Sequence, residues 1–245
     1  MIKKSEGKTR TEKILSELCE NTFLNTWSFP NPYNEKGKGK EFCDLVAIFE
    51  NHMFIFFDRE KILDISVDND SKIQWDRWKR NVIDAQAKTC HGAERYIKNG
   101  GNLFLDPECL IPLPIKYDSK EIIIHKVIIA NGASDACVDF SDENINGSLG
   151  ITYRNIESHD GFEFPFLIDI DKNNPVHIFD EYTFPLVLRE LDTFKDFLDY
   201  ITAKEDTIRE LNFLSYCGEE DLLAHYLMNF DNNTKKHFIG SCSEK

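Results

Sequence analysis

The chain has 245 residues, enough to bury a sizeable core, and a formal net charge of −14, which excludes a surface that binds polyanions over its whole area. Seven cysteines (19, 43, 90, 109, 137, 217, 242) are an odd number with no CxxC pair, which excludes a disulfide framework and a zinc module and predicts reduced thiols in a cytoplasmic protein. No apolar run reaches membrane-spanning length and the polar start lacks a signal-peptide core, so a soluble chain with no membrane partner is expected. The charge is unevenly placed: residues 1–40 carry +3, residues 71–98 carry +4 and the remainder −21. Two basic segments in an otherwise acidic chain suit a local groove for phosphate.

From Thr9 to Leu24 the apolar residues Ile14, Leu15, Leu18, Cys19, Phe23 and Leu24 fall at helical spacing. Glu12 shares an azimuth with Leu15 and Cys19 and is therefore expected to point inward, while Thr9-Arg10-Thr11-Glu12 fits the capping box that opens helices equally well. Glu17 and Glu20 read as outer-face charges. A loop rich in Pro, Asn and Gly leads to Gly39–Ile62, the stretch around which the rest is organised. Its apolar runs, Leu45 to Phe49 and Met53 to Phe57, flank Glu50, Asn51 and His52, which predicts a β-hairpin buried on both faces. With the turn near Asn51 and His52, Asp44 falls opposite Asp58 or Arg59, and Glu60 shares a face with Asp58. Carboxylates then collect at one edge of an apolar sheet, where they need a cation or a basic group, unless they simply mark solvated strand ends.

After the polar connection 63–72, the pattern from Ile73 to Ile97 predicts a long helix with Trp75, Trp78, Val82, Ala85 and Ala93 facing inward. Arg77, Lys88 and Arg95 lie within about 20° of one azimuth, with Arg80 nearby, a basic stripe that is either a solvated face or a nucleic-acid contact. Strands are expected at 103–106 and 122–130, the second carrying His125 as a core histidine or a general base. Residues 131–150 read as loop, 162–169 and 176–180 as short strands, and Phe184 to Tyr200 as a helix that continues or restarts over Glu205–Leu214. A final amphipathic piece, Glu219 to Asn229, is expected to pack through Leu222, Leu223, Tyr226 and Leu227 on the domain or on a second subunit. Without an internal repeat or linker, residues 1–245 read as a single α/β domain: a central mixed sheet with flanking helices, and a C-terminal helical elaboration at 183–230.

No GxSxG elbow, GxxxxGK[ST] loop, HExxH or GxGxxG occurs, and Cys90 beside His91 is too sparse for a metal site. What remains is an acidic helix–hairpin frame followed by a basic helix. In this, Glu12 on the helix, Asp44 on the first strand and Asp58 on the second resemble the PD-(D/E)xK, or restriction-endonuclease-like, nuclease superfamily. The resemblance covers roughly the first hundred residues, with a core at 9–130. Over most of the chain, GKEFCD, WDRW, HGAER, HKVIIANGA and LRELDTFKDFLDYITAKE are similar to stretches of bacterial nuclease-like proteins. Glu60 stands where Lys is usual, with Arg59 and Lys61 as the neighbouring cations.

The resemblance implies a restriction-endonuclease-like core and Mg²⁺- or Mn²⁺-dependent hydrolysis of DNA, in a bacterial antiphage or mobile-element conflict system. Asp44 and Asp58 would hold the metal, Glu12 would complete or orient the site, Glu60 or Lys61 would manage the attacking water, and Arg77, Arg80, Lys88 and Arg95 would touch phosphates. The alternative is a catalytically degenerate module that binds nucleic acid or a partner protein. A third reading is an assembly protein whose acidic C-terminal half docks a basic partner or a second copy.

Overall fold

Thr9 opens the first helix by accepting the Glu12 backbone N–H on its side chain at 3.1 Å, which satisfies one of the amides a helix start leaves bare. In the computed structural model, which describes residues 4–37, 39–65, 70–141, 143–156 and 165–240, the elements follow in this order. They are α1 (Arg10–Trp27), β1 (Ser28–Pro30), β2 (Tyr33–Asn34), β3 (Leu45–Phe49), β4 (His52–Glu60), α2 (Ser71–Lys79), a π-helical turn (Arg80–Asp84) and α3 (Ala85–Lys98). Next come β5 (Leu103–Phe104), β6 (Ile123–Asn131), α4 (Ser134–Phe140), β7 (Gly150–Arg154), β8 (Leu167–Asp171) and β9 (His177–Asp180). The chain ends with α5 (Thr183–Glu190), α6 (Phe194–Glu210), β10 (Phe213–Tyr216), α7 (Glu219–Met228) and the short β11 (Phe230–Asp231) and β12 (Lys236–His237). The fold is α/β with a mixed central sheet. Among the described residues no helix is long and apolar enough to cross a membrane.

The chain groups into two compact units, one of Met1–Ile62, Arg77–Asn131 and Val176–Ile178, the other of Leu63–Asp76, Gly132–Pro175 and Phe179–Lys245. The first holds β1, β3, β4 and β6 of the five-stranded sheet β1-β3-β4-β6-β9, with the first two residues of β9. Strands β3 and β4 pair antiparallel, whereas β4 and β6 run parallel from His52↔Ile123 to Glu60↔Asn131. Leu45 to Ile48 and Met53 to Phe56 are fully buried, as their uninterrupted apolar runs require of strands covered on both faces. Phe23 of α1 packs on Phe54 and Phe56, with centroids at 6.2 and 6.0 Å. Lys126, on the opposite face of β6 from His125, pairs with Glu94 of α3 at 2.7 Å. Helices α1 and α3 therefore cover opposite faces of the sheet.

The hairpin is one step out of the expected register. Its turn is Glu50-Asn51, Phe49 faces His52, and Glu50 takes a positive φ of 53°. Continued along the ladder, this puts Asp44 opposite Phe57 rather than Asp58 or Arg59. The ladder does not continue regularly, because the Phe56 carbonyl, already opposite Leu45, also accepts the Asp44 N–H at 3.1 Å. Two residues of one strand facing one of the other make a β-bulge, which bends the strand and re-aims the side chain at that point.

The second unit contains the three-stranded sheet β10-β7-β8, with β7 and β8 parallel and β10 and β7 antiparallel. The expected helix from Phe184 to Tyr200 is two helices, because Thr193 caps α6 by accepting the Asp196 N–H at 3.1 Å. The expected continuation over 205–214 stops at Glu210 and gives way to β10. Helix α4 and strand β7 occupy the ends of the stretch read as loop. In α7, Leu222, Leu223 and Tyr226 are buried as expected, while Leu227 is exposed. Of the expected strand 162–169, the first three residues lie outside the described residues, as do 66–69 of the connection 63–72.

Candidate active site

At the carboxyl end of β4, the start of α1, the residues before β3 and the first turns of α3 enclose a cleft of about 600 Å³. It is lined by Glu12, Asp44, Asp58 and Glu60, by the cations Lys8, Lys40 and Arg59, and by Gln86 and Thr89 of α3. The bulge turns the Asp44 carboxylate towards the second strand, where its Oδ2 accepts the Asp58 backbone N–H at 2.6 Å. Asp58 lies on the α1 face of the sheet. Its Oδ2 accepts the Thr11 hydroxyl, and its Oδ1 accepts the Asn131 side-chain amide at 2.6 Å. Two partners fix its rotamer, one from the first turn of α1 and one from the last residue of the parallel neighbour β6.

Burial raises both carboxyls. Asp44 is pushed up to about 7, the Asp58 N–H partly offsetting the desolvation while the Glu12, Asp58 and Glu41 charges add to it. Asp58 is pushed up to about 6 by burial and by the Glu12 and Glu60 charges, against the stabilising hydrogen bonds from Thr11 and Asn131. Glu12 behaves differently: burial would raise it, but hydrogen bonds from the Lys8 N–H, Asn31 and Thr9 outweigh that and hold its carboxyl below the usual range. The Lys8 N–H and the Asn31 amide both reach Glu12 Oε2, at 2.7 and 3.1 Å. The inward and the capping expectations for Glu12 are thus met together, since it faces the cleft and also ties the residues before α1 to its first turn.

A carboxyl raised in the fold binds its proton more tightly there than in the unfolded chain, so its contribution to stability is lost as pH rises through the folded value. With divalent ions chelated, the wild type should therefore lose more stability between pH 5 and 8 than Asp44→Asn, which has no proton to lose at that site. Thermal melts of the two proteins across that range measure the difference, and equal slopes would mean that Asp44 is not raised.

The remaining expected residues are distributed as follows. Glu60 lines the cleft, whereas the exposed Lys61, one residue beyond β4, does not. The Lys61 N–H donates to the Asn131 carbonyl at 3.1 Å and its own carbonyl accepts the Trp78 indole N–H at 2.6 Å, so its backbone closes the end of the sheet. Arg77, Arg80, Lys88 and Arg95 are all exposed, and none of them lines the cleft. The π turn at Arg80–Asp84 adds about one residue to the helical repeat, rotating Lys88 and Arg95 by roughly 100° from the azimuth that an unbroken helix would share with Arg77. His125 is buried away from the cleft, stacked on Phe54 at 4.5 Å with its Nε2 2.9 Å from His52 Nδ1. Sequence reasoning missed Thr11, Asn131, Lys8, Glu41, Gln86 and Thr89, for which single positions carry no periodic signal.

Asp44 and Asp58 offer carboxylate oxygens, which suit a hard divalent cation, and both are raised by burial and by the neighbouring acids, a setting in which a bound cation would favour the ionised forms. Among the described residues, Glu12 does not join them in a group of three ligand atoms all within 4.8 Å of one another. No family model, curated protein or solved structure matches the chain.

Proposed function

We propose that the chain is a metal-dependent nuclease that hydrolyses DNA phosphodiester bonds, with the restriction-endonuclease-like core that its helix–hairpin frame resembles. The observation that carries the reading is the pairing of Asp44 and Asp58, two half-buried carboxyls at a strand end, joined through a bulge and facing an open cleft. Asp44 and Asp58 would hold Mg²⁺ or Mn²⁺, which when bound polarises a phosphate and makes water a better nucleophile at neutral pH. The chain supplies the rest. Thr11 and Asn131 orient Asp58, the Asp58 N–H orients Asp44, and Glu60, exposed at the cleft, is the carboxylate available to take a proton from water. Lys61 has no part in this arrangement.

Incubating the full chain with plasmid in Mg²⁺, Mn²⁺ or EDTA tests the proposal: cleavage is expected with either metal and none with EDTA. Glu60→Ala should lose activity by about 10²-fold, the usual scale for a general base, while Glu17→Ala on the outer face of α1 should not. Equal rates for these two variants would remove Glu60 from the chemistry. A second reading, a non-catalytic module that binds nucleic acid or a partner, is favoured by the acidic residue at position 60 where the superfamily has Lys. Binding to DNA with no cleavage in either metal would establish it in place of the first.

A further inference from the structure

We infer that Lys8 is the cation through which this cleft grips a substrate phosphate, carried there by an N-terminal segment that Glu12 fastens to the first helix. The inference rests on the nuclease reading and concerns how that same site recognises its substrate.

The segment before α1 is anchored at several successive points. Lys4 donates to the Ser28 carbonyl and lies over the Phe29 ring at 4.2 Å, Ser5 Oγ donates to Asn31 Oδ1 at 2.6 Å, and the Lys8 N–H reaches Glu12. Between them Gly7 adopts φ +90° so close to the helix that a Cβ would lie 2.7 Å from the Glu12 carbonyl carbon and the Lys13 nitrogen. Only glycine allows this path without strain. The anchored backbone delivers the Lys8 side chain to the cleft, with its Nζ 2.7 Å from Glu41 Oε1 and 5.5 Å from the centre of the Tyr33 ring.

Electrostatics calls for a cation here. Five carboxylates, Glu12, Glu41, Asp44, Asp58 and Glu60, line the cleft against three cations, Lys8, Lys40 and Arg59. A phosphodiester cannot approach so acidic a surface without a positive group that can turn to it. The exposed arginines of α2 and the π turn do not line the cleft. Among its described lining residues, Lys8 is the cation held in an ion pair, and that pair is open on the Lys8 side, with 56% of the Lys8 side chain accessible against 24% of Glu41. The ammonium is reachable from solvent, so a phosphate oxygen can compete with Glu41 for it, at the cost of leaving the part-buried Glu41 carboxylate without its cation.

The test is the binding of the full chain to a fluorescent duplex oligonucleotide, followed by anisotropy over a range of salt with Ca²⁺ in place of Mg²⁺. Lys8→Met should weaken binding and make the slope of log K against log salt shallower by about 0.9, the loss of one phosphate contact. Lys13→Met, the same charge change on the exposed face of α1, should leave the slope unchanged. Glu41→Gln should tighten binding several-fold by releasing Lys8, and Gly7→Ala should reproduce the Lys8→Met loss with Lys8 still present. An unchanged slope in Lys8→Met, or an equal drop in Lys13→Met, overturns the inference. Should the wild type cut DNA in Mg²⁺ while Lys8→Met keeps the full slope, the inference alone fails. Should it bind through Lys8 and never cut, the nuclease reading fails and the inference stands. Absence of binding rejects both.

Discussion

Asp44→Asn and Asp58→Asn are each expected to lower DNA cleavage by about 10³-fold or more, the scale of several kcal/mol of charge stabilisation at the reacting phosphate. Both substitutions preserve shape. An asparagine at 44 still offers a carbonyl oxygen to the Asp58 N–H, and one at 58 can present its oxygen to Asn131 and its amide to the Thr11 hydroxyl. The fold should therefore survive, and in EDTA at pH 8 the variants should melt no lower than the wild type, because a half-buried carboxylate without a cation has been removed. Loss of activity together with intact melting separates chemistry from folding. Cleavage at the wild-type rate by Asp44→Asn would end the metal-site reading.

The second large effect concerns the second unit, where Lys204 of α6 and Glu219 at the start of α7 form a fully buried ion pair. Lys204 Nζ lies 2.7 Å from both carboxylate oxygens, and Glu219 also accepts the hydroxyls of Tyr200 and Tyr216 at 2.6 and 2.8 Å. The rings of Tyr153, Phe179 and Tyr216 surround the ammonium at 5.5, 5.5 and 5.2 Å. Burial lowers the Lys204 pKa against the opposing pull of Glu219, so desolvation is only partly repaid. Lys204→Met leaves the Glu219 charge buried without its cation and should destabilise the unit by about 3–5 kcal/mol in urea unfolding. Adding Glu219→Gln should return most of that loss, since Gln can still accept from a tyrosine hydroxyl. A single-variant loss below about 1 kcal/mol, or a double variant no better than the single, would show that the pair is not coupled.

The local elements were legible because their signals are local. Helical spacing located α1 and α7, and two uninterrupted apolar runs located the β3–β4 hairpin, since a strand buried on both faces cannot carry charge in its middle. The Thr9–Glu12 capping box was readable for the same reason, as its partners are three residues apart. Boundaries failed where a single side chain decided them, as at Thr193, whose hydroxyl caps the start of α6.

The candidate site was legible in its acids and not in what holds them. Asp44 and Asp58 stand out as charges at the ends of apolar strands, yet the register that relates them depends on a two-residue turn and a bulge, and a shift of one residue reverses every face. Asn131 reaches Asp58 from 73 positions away through the parallel pairing of β4 and β6, and Lys8 meets Glu41 because Gly7 folds the chain back on α1. The basic stripe shows the opposite case, a regularity of the sequence that the π turn breaks. By itself the sequence determined which segments form helices and strands and which acids stand at the strand ends, because spacing along one element reports its own buried face. Only the tertiary structure decided which groups surround those acids, because register, bulges and chain reversals are set by contacts between residues far apart in the chain.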